Sequence, residues 1–275
     1  PAVVSRRIDA ETSATSSWHD FGRALHTQRA ADRRLVALSS VLLREFGSVE
    51  LLVDGVPVPT GIRKSPELLA YLIAQGGRAR RRQVMEALFG STDRSAQAYL
   101  RQARSRLNRA LPEQAAVGTD GDEIVLSDAL AVTSESAELE RRLRTARNLP
   151  GQERLRALVS ALRTADAGDY LPSVRGGWAD ERRSRVRALI TDAHAEAAQL
   201  ALAAEHYPEA QAHAERVLRE DPYREGAWQT LLQVAGMLGD HDGVIEVFRA
   251  CEEALGDLGT IPSASTRLLL EKLRR

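Results

Sequence analysis

Residues 95–111 read SAQAYLRQARSRLNRAL. At about 100° per residue, Ala96, Leu100, Ala103, Leu107 and Leu111 fall on one side of a helix, and Pro112 ends it. A quarter-turn round the axis lie Gln97, Arg101, Arg104, Ser105 and Asn108, while Tyr99 and Arg106 occupy the other flank. An arginine can meet guanine O6 and N7 with two hydrogen bonds, and the amide of Gln or Asn can do the same with adenine N6 and N7. On a solitary helix such a stripe would be a solubilising face, so its neighbours decide its meaning.

Upstream, Ser65-Pro66-Glu67 supplies an N-cap, a first-turn proline and a first-turn acid ahead of Leu68, Leu69, Leu72 and Ile73, and Gly76-Gly77 closes that helix. Residues 80–89 form a second helix with Val84, Leu88 and Phe89 inward, closed by Gly90. Before both, Phe46 to Val53 has strand character. Asp54-Gly55 marks a hairpin, and Val56-Pro57-Val58 returns as a short partner. After residue 111, Ala116-Val117 and Ile124-Val125-Leu126 flank Thr119-Asp120-Gly121-Asp122, a second hairpin. Sheet, three helices and a hairpin, in that order, is the layout of a winged helix-turn-helix, and in that layout the third helix enters the major groove. The expected base-reading residues are Gln97, Arg101, Arg104, Ser105, Arg106 and Asn108. Arg63, Lys64, Arg80, Arg81, Arg82, Arg94 and Thr119 are placed to meet phosphate, which sets register without reading sequence.

Charge agrees with this division. The formal net charge of zero hides 11 basic against 5 acidic residues in 46–111, and 20 against 28 in 112–275. A compact basic segment beside an acidic one has the footprint of a polyanion-binding module joined to a non-binding one.

From about Ser134 the strand signals stop and helices follow one another, punctuated at Pro150-Gly151, Gly168, Gly176-Gly177, Pro208, Asp221-Pro222, Gly239 and Pro262. His194/Trp228, Ala201/Ala235, Ala210/Val244 and Ala214/Phe248 recur at an offset of 34 residues, the period of tetratricopeptide repeats. At that register Trp228 and Phe248 should pack internally. At the other end, residues 1–17 read as a loose arm and 18–43 as a helix with Leu35, Leu38, Val41 and Leu42 on one face. The expected domains are an N-terminal arm and helix over 1–45, a winged-helix DNA-binding domain over 46–130, and a tetratricopeptide-like helical domain over 131–275. The fold class is mainly α with small β elements.

A composition of 43% hydrophobic and 28% charged residues is that of a globular chain, and no run of eighteen apolar residues or secretion signal is present, so the cytoplasm is the expected compartment. Cys251 is the only cysteine, which excludes an internal disulfide and any cysteine-cluster metal site. No phosphate-binding loop, nucleophile elbow or His-Glu-x-x-His appears, and the histidines form no ligand set. No catalytic residue, metal or cofactor is therefore expected, and the chain is not expected to be an enzyme.

Residues 46–275 resemble the antibiotic-pathway activator family of SARP type (AfsR/DnrI-like), an OmpR/PhoB-type winged helix followed by a bacterial transcriptional activator domain, BTAD. The resemblance is carried by FGSVELLVDGVPV, RRRQVMEALFG and AYLRQARSRLNRAL, then by GDYLP, GGWADERRSRVRAL, LREDPYREGAWQTLLQVAGMLGDHDGVIEVFRACEEAL and GTIPSASTRLLLEKL. It implies a cytoplasmic transcription regulator that binds double-stranded DNA repeats, often as a homodimer, and assists RNA polymerase. The departures fall in the DNA-reading parts: Arg104 stands where relatives have an apolar residue, Asn108 where they have arginine. Asp120, Asp122 and Glu123 bring negative charge to the hairpin, which should therefore stand away from DNA. The alternative is a tetratricopeptide-like adaptor whose winged helix binds a protein or small effector.

Overall fold

The computed structural model describes residues 40–112, 116–127 and 132–274. It is mainly helical, with two small sheets. The expected arm and most of the expected first helix lie outside the described residues. Where that helix was to end, Val41–Arg44 is instead the strand β1. Its pattern is strand-like: Val41 and Leu43 point into the core while Leu42 and Arg44 stay half-exposed. A helical stripe and a two-residue alternation cannot be told apart over so few residues, and pairing with β2 (Glu50–Val53) decides for the strand.

β1 and β2 run antiparallel, with Val41 opposite Val53 and Leu43 opposite Leu51. Asp54 and Gly55 both adopt positive φ, the geometry of a tight hairpin turn, and lead into β3 (Val56–Pro57). The outer edge of β1 is taken by β7 (Val132–Ser134), which runs parallel to it and opens the C-terminal half. Sequence reading missed that strand, since three residues carry no period and the pairing spans some ninety positions.

Three helices follow β3: α1 (Lys64–Ala74), α2 (Arg81–Phe89) and α3 (Arg94–Ala110). α1 starts two residues earlier than expected, with Arg63 rather than Ser65 at the N-cap position. Ser65 is no cap; its hydroxyl is fully buried and donates to the Ala103 carbonyl of α3 at 3.0 Å, pinning the two helices together. On α3, Ala96, Leu100, Ala103 and Leu107 are buried, as the spacing requires. β4 (Arg78–Arg80), β5 (Val117–Asp120) and β6 (Glu123–Leu126) make a second sheet in the order β4-β6-β5, with Val117 and Ile124 inward and Gly121-Asp122 at the tip.

The C-terminal half is α4 (Glu135–Ala146), α5 (Gly151–Leu162), a single 3-10 turn (Ala165–Ala167), α6 (Gly177–Ala203), α7 (Tyr207–Glu220), α8 (Glu225–Met237), α9 (His241–Gly256) and α10 (Ala264–Leu273). Successive helices from α4 to α9 pack on each other, across the 3-10 turn in the case of α5 and α6. Ala197, Ala201, Ala210 and Ala214 are all fully buried between α6 and α7, small side chains that let the helices approach closely. Of the positions read at the 34-residue offset, Ala210 and Val244 are both buried, but Trp228 and Phe248 are only half-buried. Trp228 instead donates its indole N–H to the Pro222 carbonyl at 2.8 Å.

The two halves share one hydrophobic core. Glu45 and Glu135 are exchanged across the junction: a Glu135 carboxylate oxygen accepts from the amides of Glu45 (2.8 Å) and Phe46 (3.0 Å), while Glu45 accepts from the Ser136 amide at 2.9 Å and from the Tyr170 hydroxyl at 3.2 Å. The Phe46 and Tyr170 rings lie 5.3 Å apart, and the main chain is stitched by Gly47 N–H to Asp169 O and Leu171 N–H to Glu45 O. Burial holds the Glu45 carboxyl above the ordinary range, and burial together with Glu45 pushes the Tyr170 phenol up to about 12.

Candidate nucleic-acid interface

The interface is built on α3. Asp93 caps it, one carboxylate oxygen accepting from the Ala96 amide at 2.8 Å and from the Ser95 hydroxyl at 2.6 Å; these bonds hold the carboxyl below the usual range. With its apolar face buried against α1, the helix turns Gln97, Arg101 and Arg104 toward the hairpin. There they meet Arg81 from the start of α2 and Thr119 from β5, the five lining a cleft of about 280 Å³ with Leu100 and Ile124 at its base. None of the Gln97, Arg101 and Arg104 side chains has a hydrogen-bond or ion-pair partner among the described residues. Arg81 is held by the hairpin tip, its amide donating to Asp122 O at 2.7 Å and its guanidinium to Gly121 O at 3.3 Å.

Other expected residues are placed elsewhere. Asn108 is spent on the fold: its side-chain N–H donates to Val117 O at 3.0 Å and its carbonyl accepts from Val117 N–H at 2.8 Å. Both amide groups that would read adenine thus hold β5 to α3, and Asn108 is withdrawn from the base-reading set. Arg106, on the opposite flank, lies along the loop at Gly61 and lines no part of the cleft. Ser105 accepts from Arg109 at 3.1 Å. Lys64 is paired to Glu67 at 2.6 Å and Arg82 to Glu86 at 2.9 Å, and Arg63 donates to Ser173 O at 3.3 Å, across the junction. Arg80 and Arg94 are exposed at the starts of α2 and α3.

The acidic hairpin carries its own compensation. Arg78 on β4 lies 3.5 Å from Asp120 and 3.4 Å from Glu123. Arg78 is not among the residues expected from the sequence to meet DNA, since its role depends on acids some forty positions away. The alternation Arg78-Ala79-Arg80 after two glycines was the available signal, since it places Arg78 and Arg80 on one face of a strand.

Among the described residues, no three of His, Cys, Asp or Glu are grouped to hold a metal, and no helix is long and apolar enough to cross a membrane. Cys251 is buried, and burial, followed by Glu225 and Glu252, pushes its thiol up to about 11.

Residues 134–274 match the family described as bacterial transcriptional activator domain. Among solved structures, Mycobacterium tuberculosis EmbR in complex with a low-affinity phosphopeptide superposes with a TM-score of 0.71 at 21% identity, over 85% of this chain and 64% of that one. The fold is therefore shared, and this chain spans less than two thirds of the length of EmbR. The C-terminal TPR-containing domain of a Plasmodium falciparum FK506-binding protein aligns over 50% of this chain and 87% of that one at 13% identity, with a TM-score of 0.39, too distant to bear on the fold. No curated protein matches the chain.

Proposed function

The chain belongs to the bacterial transcriptional activator domain family, and on that premise we propose that it is a sequence-specific DNA-binding activator of transcription, working in the cytoplasm on double-stranded DNA. The N-terminal half, from β1 through β6, is read as the winged helix, with α3 as recognition helix and the β5–β6 hairpin as wing. The observation that carries the reading is the cleft in which Gln97, Arg101 and Arg104 stand unpaired beside Arg81 and Thr119. Two guanidinium forks and an amide on one exposed helix face suit guanine and adenine edges. Arg81, Thr119, Arg80 and Arg94 flank them and suit phosphate. The acidic C-terminal half is assigned to protein contacts, with RNA polymerase and a second copy of the chain as the expected partners.

Selection of bound sequences from random duplex DNA, followed by titration of the winner at several salt concentrations, tests this. A regulator gives one enriched sequence and an affinity that falls linearly on a log–log plot against salt while preference persists. Sequence-blind binding, or none, leaves an adaptor.

A further inference from the structure

A groove of about 590 Å³ runs between α7, α8 and α9, floored by Leu218, Trp228, Leu231 and Ala254. All four are only half-buried, so the helical half leaves an apolar trough open here. Trp228 is the largest of them. Its indole N–H is already satisfied by the Pro222 carbonyl, which leaves the ring free for apolar contact alone.

The rim is acidic. Glu215, Glu253 and Asp257 face one cation, Arg219, and all four are exposed. Glu215 accepts from the Gln211 side-chain amide at 2.8 Å. The side chains of Glu253, Asp257 and Arg219 have no hydrogen-bond or ion-pair partner among the described residues. Arg249, on a neighbouring stripe of α9, lines no part of the groove. An apolar floor beside unpaired acids suits an amphipathic helix with a basic edge.

The chain's own sequence supplies that pattern. Residues 18–31, WHDFGRALHTQRAA, lie outside the described residues. At about 100° per residue, a helix of this sequence sets Trp18, Phe21 and Leu25 within a sector of about 60°, with Arg29 beside it and Asp20 toward the other edge. Asp32 interrupts the apolar side, so the pattern ends at Ala31. Residues 32–39 then join it to β1, a link that reaches at most about 29 Å. Arg219 lines both this groove and the cleft that reaches Phe46, which places the groove next to a cleft ending two residues after β1.

We propose that the groove binds residues 18–31 of the same chain, with Trp18, Phe21 and Leu25 on its apolar floor and Arg29 against Glu253 and Asp257. Net positive charge in the segment meets net negative charge on the rim, and Asp20 is left for Arg219. The proposal stands independently of DNA binding.

The test compares the full chain with one lacking residues 1–31, using a fluorescein-labelled peptide of residues 18–31 and fluorescence anisotropy. The shortened chain should bind one peptide. The full chain should bind it at least about tenfold more weakly, since its own segment competes at an effective concentration of about a millimolar. Reversing Glu253→Arg and Asp257→Arg together should weaken peptide binding to the shortened chain about tenfold or more, and a peptide carrying Arg29→Glu should recover part of that loss. Both acids are exposed, so the variant keeps the fold, which circular dichroism verifies. On the unreversed groove the Arg29→Glu peptide should bind more weakly, and a peptide with Trp18→Ser and Phe21→Ser should not bind. Equal affinity for the full and shortened chains would leave the groove to a partner protein and overturn the proposal. No binding by the shortened chain, or binding indifferent to the charge reversals, overturns it equally.

Discussion

Gly47 and Gly168 cross at the junction so closely that a Cβ on Gly168 would lie 3.0 Å from the Gly47 Cα, and one on Gly47 would collide with the Ala167 carbonyl. Both have positive φ, +73° and +132°. Gly47→Ala therefore faces backbone strain of about 1–3 kcal/mol with the collision added to it. Urea unfolding should show destabilisation of at least that size. Unchanged stability would mean that the halves can separate at this crossing without cost.

Asn108 should behave as a structural residue. Asn108→Ala leaves the N–H and C=O of Val117 without their partners and is expected to cost about 1–3 kcal/mol of stability. The base preference of the protein that remains folded should be unaltered. A relaxed preference at one base position, with stability intact, would return Asn108 to the reading face.

Arg101 and Arg104 should carry base discrimination. Alanine at either is expected to cost about 1–3 kcal/mol in affinity for the selected sequence and to relax preference at one position. Arg82→Ala, which removes a side chain already paired to Glu86, serves as the control and should change affinity little. An equal loss on every sequence would reassign Arg101 or Arg104 to phosphate.

Arg78 should matter through the acids it faces. Arg78→Ala leaves Asp120 and Glu123 uncompensated and should lower DNA affinity, most strongly at low salt. Changing Asp120, Asp122 and Glu123 together to Ser in that background should restore it. Failure to restore would mean that Arg78 touches DNA directly.

Acid should weaken the fold through His194. Its pKa of about 4 lies below the ordinary 6.5, so the folded state resists a proton that the unfolded chain accepts. The stability due to neutral His194 is complete above pH 6.5 and is lost as pH falls toward 4. Urea midpoints measured across that window should decline, and His194→Gln should flatten the decline. An identical slope in the variant would place the sensitivity elsewhere.

What could be read from the sequence was local. The spacing of Ala96, Leu100, Ala103 and Leu107 sets the orientation of α3, and Asp54-Gly55 sets the first turn; each depends on chemistry within a few residues. The positions misread depend on distant neighbours. Ser65 became a clamp because the Ala103 carbonyl arrives beside it, and Asn108 left the reading face because β5 needed both its amide groups. Trp228 found its partner in the Pro222 carbonyl rather than in the interior. Polar side chains have several ways to be satisfied, and only the tertiary arrangement selects among them.

The parallel pairing of β1 with β7 bears on how the chain can be divided. A fragment beginning at residue 46 and ending at 130 would discard both strands and leave the flank of β2 bare, a row of unpaired N–H and C=O groups. Such an edge recruits other strands and invites aggregation. Cut there, the fragment should precipitate or misassemble, whereas a piece that starts before Val41 and continues through Ser134 keeps all four strands in the order β3-β2-β1-β7 and leaves β2 paired on both sides. The residues that begin the helical half thus complete the first sheet, and a protease seeking a seam between the halves would find a strand ladder in its place.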